Sequence, residues 1–302
     1  MPRHPIASGE GKKIHSMTSS LPPCGGGLGR GETCQLTDDQ GNPLHLKQPA
    51  QRIISLAPDI TENLFAIGAG QQIIGVIQGS DYPTEAKKIP IVGSYTGLDL
   101  EAILALKPDL IVTWSTMFAR QLQALTAFNI PIYVTQPKQL EDIPRTLRNL
   151  GCLTGQQQKA NQAATDFLQT VTQIEHHYNN KTNNKPRVFY QIGAYTFMTV
   201  NKESWIQQVV AACGGQPLFT DTVTIAPTIS LEAILTANPQ IIISSASNDQ
   251  WQTRWQRWPS IAAVKNGLLF TIPSDWLERA SPRLLLGMRQ VCTHIHFAND
   301  SR

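Results

Sequence analysis

The chain contains one short pattern twice. The letters LEAIL occur at residues 100–104 and again at residues 231–235. Each copy is followed, three residues later, by a proline and an apolar run, PDLIV at 108–112 and PQIII at 239–243. Identical spacing of a helix-like segment and a strand-like segment is typical of a repeated supersecondary unit. We therefore predict a chain built from two similar halves.

The two halves also match upstream of the LEAIL segments. The apolar runs RIISL at 52–56 and RVFYQ at 187–191 are each followed by a helical pattern that ends in glycine, at residues 61–68 and 204–214. Glycine after a helical pattern is a common left-handed C-cap. Strands that alternate with helices favour parallel βαβ units with right-handed crossovers. The prediction is an α/β fold with two Rossmann-like lobes and a ligand cleft between them.

The longest periodic segment lies between the two halves, at residues 156–179. Its apolar residues recur at spacings of three and four: Ala160, Ala163, Ala164, Phe167, Leu168, Val171, Ile174 and Tyr178. This periodicity predicts one amphipathic helix about 36 Å long. Such a connection is stiffer than a flexible linker and limits hinge opening. We predict a disordered leader at 1–34, an N-terminal lobe at 35–155 that opens with a β-hairpin, a spine helix at 156–180 and a C-terminal lobe at 181–302.

Composition and motifs exclude several classes of protein. The net charge of +3 over 302 residues comes without a lysine or arginine run, so no nucleic-acid partner is expected. No run of apolar residues is long enough to span a membrane. Hydrolase, phosphate-loop and zinc-protease motifs are absent from the sequence, which predicts that the protein is not an enzyme. A two-lobed enzyme is the remote alternative. The first 34 residues, as written, contain no recognisable signal peptide.

Five cysteines occur in the chain, and none of them forms a C-x-x-C pair. This spacing argues against a zinc ribbon, and no structural metal is expected. Cys213 and Cys292 both lie in the second half. Two interpretations of this pair are open, a disulfide in an oxidising compartment or two small buried apolar side chains.

Six short segments carry a further pattern: RIISLAP at 52–58, TE at 61–62, SDYP at 80–83, LE at 100–101, LKPDL at 106–110 and DWLERASPR at 275–283. Together they resemble the helical-backbone substrate-binding proteins of ABC importers for metal chelates. The last segment resembles the cobalamin binders within that family. The resemblance covers about residues 35–298. It implies a periplasmic, monomeric receptor without a cofactor, which captures cobalamin or a related corrinoid and delivers it to an ABC permease dimer in the inner membrane.

The resemblance also implies which residues face the ligand: Tyr95, Trp114, Asp275, Trp276, Leu277, Glu278 and Arg279. Aromatic faces would cover the corrin ring, while Asp275 and Arg279 would meet its side arms. Gly79 and Ala226 stand where the resemblance expects aromatic side chains, which predicts a wider or differently shaped cleft that suits another corrinoid or another chelate. A ferric-siderophore or haem receptor is the alternative within the family, and it would require more positive charge in the cleft than Arg279 alone.

Two glutamates occupy equivalent places in the repeat, Glu101 and Glu232. The resemblance implies that they form salt bridges with arginines of the two permease subunits. The alternative interpretation is a first-turn carboxylate that favours a helix N-terminus, with Asp99 and Ser230 as the N-caps.

Overall fold

Two four-stranded parallel sheets organise the chain in a computed structural model, which describes residues 33–114, 117–179, 185–246, 248 and 250–300. The strands are β1 Cys34–Thr37, β2 Pro43–Leu46, β3 Ile53–Ser55, β4 Ile73–Val76, β5 Gly93–Ser94, β6 Gly97–Leu98, β7 Leu110–Trp114, β8 Ile132–Thr135, β9 Arg187–Gln191, β10 Gln216–Pro217, β11 Ile241–Ser244 and β12 Leu269–Thr271. The helices are α1 Pro58–Ala66, α2 Leu100–Ala105, α3 Ala119–Thr126, α4 Asp142–Thr154, α5 Gln157–Asn179, α6 Trp205–Ala212, α7 Leu231–Ala237, α8 Gln250–Trp255, α9 Ala262–Lys265, α10 Ser274–Leu277 and α11 Leu284–Asp300.

The two sheets have the same strand order. The first sheet runs β4-β3-β7-β8 and the second β10-β9-β11-β12, and every pairing within them is parallel. Counted from the first strand of each sheet, both orders are 2-1-3-4. This confirms the predicted α/β fold with two Rossmann-like lobes. The predicted hairpin is also present, as the antiparallel pair β1 and β2. Residues 1–32 of the predicted leader lie outside the described part of the chain.

In each lobe an arginine at the first strand of the sheet binds the end of the LEAIL helix, which explains part of the sequence repeat. We call this contact the arginine clasp. The guanidinium of Arg52 donates hydrogen bonds to the carbonyls of Leu106 and Lys107, at the end of α2. The guanidinium of Arg187 donates in the same way to Asn238, at the end of α7. The last carbonyls of a helix have no partner within the helix, so an arginine there satisfies them. The clasp ties the LEAIL helix of each lobe to the first strand of that lobe's sheet.

A second pair of hydrogen bonds repeats between the lobes. The Asp109 carboxylate accepts from the backbone N–H of Arg52 at 2.8 Å, and the Gln240 side-chain oxygen accepts from that of Arg187 at 3.0 Å. Each acceptor directly follows the proline after its LEAIL helix. The repeated letters therefore encode a repeated set of contacts between the helix end, the following strand and the first strand.

The predicted capping residues are confirmed at the starts of α2 and α7 and at the ends of α1 and α6, whereas α1 begins at Pro58 and not at the predicted residue 61. The Asp99 and Ser230 side chains accept hydrogen bonds from backbone N–H groups in the first turns of α2 and α7. Gly68 and Gly214 follow α1 and α6 with φ of 81° and 82°. These left-handed conformations strain residues that have a Cβ, which is why glycine ends both helices.

The spine is α5, a helix of 23 residues and therefore about 34 Å long. Its buried face contains five of the predicted residues: Ala160, Ala164, Phe167, Val171 and Ile174. Leu168 is 37% exposed, because it lies at the margin of the face that packs on α4 and α11. One hydrophobic core runs from the first lobe through this face into the second lobe. No described helix has the length and apolar character needed to cross a membrane.

Two disulfides join elements that are distant in sequence. Cys213, just after α6, is bonded to Cys292 in α11, which is the disulfide interpretation of that pair. Cys34 in β1 is bonded to Cys152 in α4, and this bond was not predicted. The prediction assigned Cys34 to the leader, whereas the structure includes it in the hairpin that packs on α4. The first bond therefore joins two helices of the core, and the second fastens the N-terminal hairpin to α4.

We expect the double substitution Cys213→Ala with Cys292→Ala to lower the free energy of unfolding by about 2 to 4 kcal/mol, because the unfolded chain would lose a cross-link across a long loop. Urea unfolding of the oxidised protein measures this difference. Adding a reductant should destabilise wild type by more than it destabilises the double variant, which retains only the Cys34–Cys152 bond. Equal effects of the reductant on both proteins would contradict the assignment.

Candidate cleft between the lobes

A cavity of about 310 Å³ lies between the two lobes. Its lining residues are Ala57, Pro58, Asp59, Tyr95, Trp114, Met117, Trp205, Ser274, Asp275, Glu278 and Arg279. Several of them follow the carboxyl ends of parallel strands, namely β3, β7 and β12. Ligands of open α/β sheets bind at this end of the strands. The cavity is therefore the predicted cleft.

Three aromatic side chains form its walls. Trp114 is the last residue of β7, and Tyr95 lies in the turn between β5 and β6, where it is 59% exposed. Trp205 is the first residue of α6, and its indole N–H donates to the carbonyl of Leu277 at 2.7 Å. That hydrogen bond fixes one edge of the indole. Both lobes therefore offer flat apolar faces to a ligand.

A buried ion cluster joins the lobes beside the cleft. Glu62 of α1 is 3% exposed, and its Oε1 accepts from Arg279 Nη1 at 2.8 Å and from Arg283 Nη1 at 2.7 Å. The hydroxyl of Ser281 donates to the other oxygen of the same carboxylate. The Arg283 guanidinium also lies over the Tyr82 ring, 4.0 Å from its centroid. A buried charge requires such partners, so the first lobe holds the segment after α10 of the second lobe through this carboxylate.

Arg279 has further negative neighbours at the cavity surface. Its guanidinium contacts Asp81 at 3.0 Å and Asp275 at 2.7 Å, and it donates to the carbonyl of Gly79. Three carboxylates, including Glu62, thus surround a single guanidinium. Arg279 is the only cation among the described residues that line the cavity. Its charge is already balanced by the protein, and the lining as a whole is acidic.

Asp59 is a second buried carboxyl group in this region. It lies in the first turn of α1, is 9% exposed and lines the cavity. Burial raises its pKa to about 6, and the charge of Glu62 adds to this, whereas its own backbone N–H, that of Ile60 and the Arg279 charge act in the opposite direction. Partial burial and the negative charge of Asp59 raise the pKa of Tyr95. The negative charge of Asp59 therefore acts on the Tyr95 hydroxyl, and both side chains line the same cavity.

Glu278 is held in place from the second lobe. Its Oε1 accepts a hydrogen bond of 2.9 Å from the hydroxyl of Tyr190, a buried residue of β9. Burial and the Glu278 charge raise the pKa of Tyr190 well above its usual value, so this hydroxyl keeps its proton and remains a donor. The carboxylate is thereby fixed at the cavity wall.

The structure brings together five of the seven residues expected to face the ligand: Tyr95, Trp114, Asp275, Glu278 and Arg279. The other two do not line the cavity. Leu277 is fully buried in the core, and Trp276 packs against that core. The segment at residues 275–279 overlaps the helical turn α10, in which successive side chains point about 100° apart. Only part of such a turn faces the cleft.

Sequence reasoning missed Asp59, Met117 and Trp205. Asp59 and Trp205 both lie in the first turn of the helix that follows the first strand of a lobe. The repeat could have revealed them, because equivalent places in the two halves point to the same cleft. Met117 follows Trp114 after two residues that lie outside the described part of the chain, and its type carries no ligand signal.

Glu101 and Glu232 lie away from this cavity, in the first turns of α2 and α7. Both side chains are exposed, and neither forms an ion pair with another described residue. Their docking role remains a prediction. Among the described residues, no group of His, Cys, Asp and Glu could hold a metal ion.

The order of elements and the cleft agree with a match over most of the chain to the family model described as periplasmic binding protein, at residues 53–276. The chain belongs to the periplasmic binding protein family. The family and the relatives that match are substrate-binding proteins and not enzymes, which confirms the sequence prediction. The chain is accordingly a substrate-binding protein.

Two relatives are named vitamin B12-binding protein. The one from Pectobacterium carotovorum subsp. carotovorum (strain PC1) is 40% identical over 249 residues, covering 81% of this chain and 88% of the relative. The one from Vibrio parahaemolyticus serotype O3:K6 is 34% identical over 257 residues, covering 84% and 93%. These matches extend through both lobes.

Several solved structures share the fold, among them one named for vitamin B12 and one named for heme. The periplasmic vitamin B12 binding protein BtuF of Vibrio cholerae matches with a TM-score of 0.75 at 33% identity, covering 83% of this chain and 98% of that one. The periplasmic heme-binding protein RhuT from Roseiflexus sp. RS-1 matches with a TM-score of 0.73 at 21% identity, covering 82% and 99%. The second likeness shows the fold alone.

We expect Glu62→Gln to lower the free energy of unfolding by about 3 to 5 kcal/mol, because it leaves Arg283 without a carboxylate partner and removes the buried one of the three carboxylates around Arg279. Urea unfolding measures the loss. The control is Asp81→Asn, which removes a half-exposed carboxylate from the same cluster and should cost less than about 1 kcal/mol. Similar costs for the two variants would contradict the assignment of Glu62 as the centre of the cluster.

Proposed function

We propose that the protein is the periplasmic receptor of an ABC importer and that it captures cobalamin or a related corrinoid between its lobes. The observation that carries the proposal is the cleft, in which aromatic side chains from both lobes surround an acidic floor. A corrin is a large, nearly flat ring with amide side arms. Flat aromatic faces suit the ring, and carboxylates suit the amide N–H donors of the arms.

The relatives support the same ligand. Those named vitamin B12-binding protein match both lobes at 34% and 40% identity. In this proposal Tyr95 and Trp114 cover the ring from the first lobe, while Asp275 and Glu278 accept hydrogen bonds from the arms. Arg279 contributes chiefly by holding the Asp275 carboxylate in position.

The charge of the cleft disfavours an anionic ferric siderophore or haem. Such ligands require cations, and Arg279, the only cation in the described lining, already faces three carboxylates. An anionic chelate would also meet Asp59 and Glu278. A ligand without net negative charge avoids this repulsion.

Gly79, where the resemblance expects an aromatic residue, has a structural role of its own. Its φ of 91° is a conformation that residues with a Cβ rarely adopt. In that conformation its carbonyl accepts a hydrogen bond from Arg279. We infer that the missing aromatic wall widens the cleft on this side, which suits a bulky ligand.

Isothermal titration of the whole chain with cyanocobalamin tests the proposal. We expect one site per chain and an affinity that Trp114→Ala weakens at least about tenfold, because the ring loses an aromatic face. Phe128→Ala, which removes an exposed aromatic residue outside the cleft, should bind as wild type does.

A ferric hydroxamate and haem serve as parallel ligands in this experiment. Binding of either one without binding of cyanocobalamin would contradict the corrinoid proposal, although the receptor role would remain. Binding of none of the three would contradict the receptor proposal for metal chelates.

We further propose that Glu101 and Glu232 dock the receptor on a permease dimer. One exposed carboxylate per lobe, at equivalent places on a repeated unit, matches a partner with two-fold symmetry.

The two disulfides agree with function in an oxidising compartment such as the periplasm. A single chain is sufficient for the cleft, so we propose a monomer.

The double substitution Glu101→Arg with Glu232→Arg should weaken association with the permease complex more than about tenfold, because arginines on the permease would then meet like charges. Binding of the receptor to the permease in nanodiscs measures this effect. Cobalamin affinity should not change, since both residues lie outside the cleft. Asp166→Arg, on the exposed face of the spine, is the control and should associate normally. Wild-type association of the double variant would refute the docking role.

A further inference from the structure

Asp59 differs from the other acidic groups around the cleft. Glu62, Asp81 and Asp275 each have an arginine partner, and Glu278 has the hydroxyl of Tyr190. No described side chain donates a hydrogen bond to the carboxyl group of Asp59. Its hydrogen bonds come from backbone N–H groups at the start of α1. The group is nine-tenths buried and lies at the cavity wall, so it retains capacity to accept a hydrogen bond from whatever fills the cavity.

Resting on the proposed function, we propose that Asp59 contacts the ligand by accepting a hydrogen bond from an amide arm of the bound corrinoid, so that affinity falls when this carboxyl becomes protonated. A carboxylate accepts hydrogen bonds from amide N–H donors more strongly than a neutral acid does. A ligand that donates to it therefore binds the ionised form preferentially.

The surroundings place this protonation within an accessible pH range. Burial and the charge of Glu62, on the same helix, raise the pKa of Asp59 to about 6, although Arg279 opposes the shift. The other titratable groups that face this region are Tyr95 from the β5–β6 turn and Asp275 and Glu278 from the second lobe. Asp275 is paired with Arg279 and Glu278 accepts from Tyr190, whereas Asp59 is open to the ligand.

The direction of the pH effect follows from linkage. In the free protein about ten in eleven Asp59 groups are ionised at pH 7 and about one in eleven at pH 5. If the bound ligand lowers this pKa to about 4, affinity is nearly complete above pH 7 and falls about tenfold between pH 7 and pH 5. At pH 6, where half of the groups are protonated, binding should release about 0.5 proton per ligand.

Isothermal titration of the whole chain with cyanocobalamin at pH 5, 6, 7 and 8 tests the inference. At pH 6 the titration is repeated in buffers with different ionisation enthalpies, which gives the number of protons released. We expect wild type to lose about tenfold in affinity from pH 7 to pH 5. Asp59→Asn, which resembles the protonated acid, should bind about a hundredfold more weakly at pH 7, show no slope and release no proton. Asp166→Asn, on the exposed face of the spine, should keep the wild-type slope and proton release.

Each outcome decides between the two proposals. A slope that survives in Asp59→Asn, a flat wild-type profile, or affinity that rises at low pH would overturn the role of Asp59 and leave the receptor proposal intact. Absence of binding at every pH would overturn the corrinoid proposal, and this inference with it. A thermal unfolding curve for Asp59→Asn confirms that the variant is folded at each pH.

Discussion

The arrangement of the cleft depends on one buried carboxylate. Glu62 lies in the first lobe, and the two arginines that it binds follow α10 of the second lobe. Isolated in the interior, any of these charges would be strongly unfavourable, but together they satisfy one another. The same contact sets where α10 lies, and therefore where Asp275 and Glu278 meet the cavity. The ion cluster is thus both a junction between the lobes and the support of half of the site.

The hydrophobic core also restrains the motion of one lobe relative to the other. It continues from the first sheet through α5 into the second sheet, so opening the cleft widely would expose apolar surface. Two-lobed binding proteins with flexible linkers have no such restraint. A cleft restrained in this way loses less conformational freedom when a ligand binds, which favours affinity.

Much of the fold was predictable, because the signals were local and occurred twice. The N-caps Asp99 and Ser230, the terminal glycines and the periodicity of α5 each follow from short-range rules. The site was less predictable, since it depends on contacts between distant residues. The segment after β12 was predicted to face the ligand, and three of its five residues line the cavity. Sequence alone did not show that Leu277 turns inward or that Arg279 is bound by Glu62. Nor did it show that Cys34 bonds Cys152, because that pairing depends on how the first hairpin packs against α4.

The arginine clasps have a consequence for the outer surface of the molecule. Arg52 and Arg187 fix the ends of two equivalent helices to two equivalent sheets, and the shared core fixes the sheets to each other. Glu101 and Glu232 stand at the other ends of those helices. The two helix starts that carry these carboxylates are therefore held at a fixed separation by the fold. A partner that binds both carboxylates at once needs two positive charges at the same separation, so the fold selects the partner by distance as well as by charge.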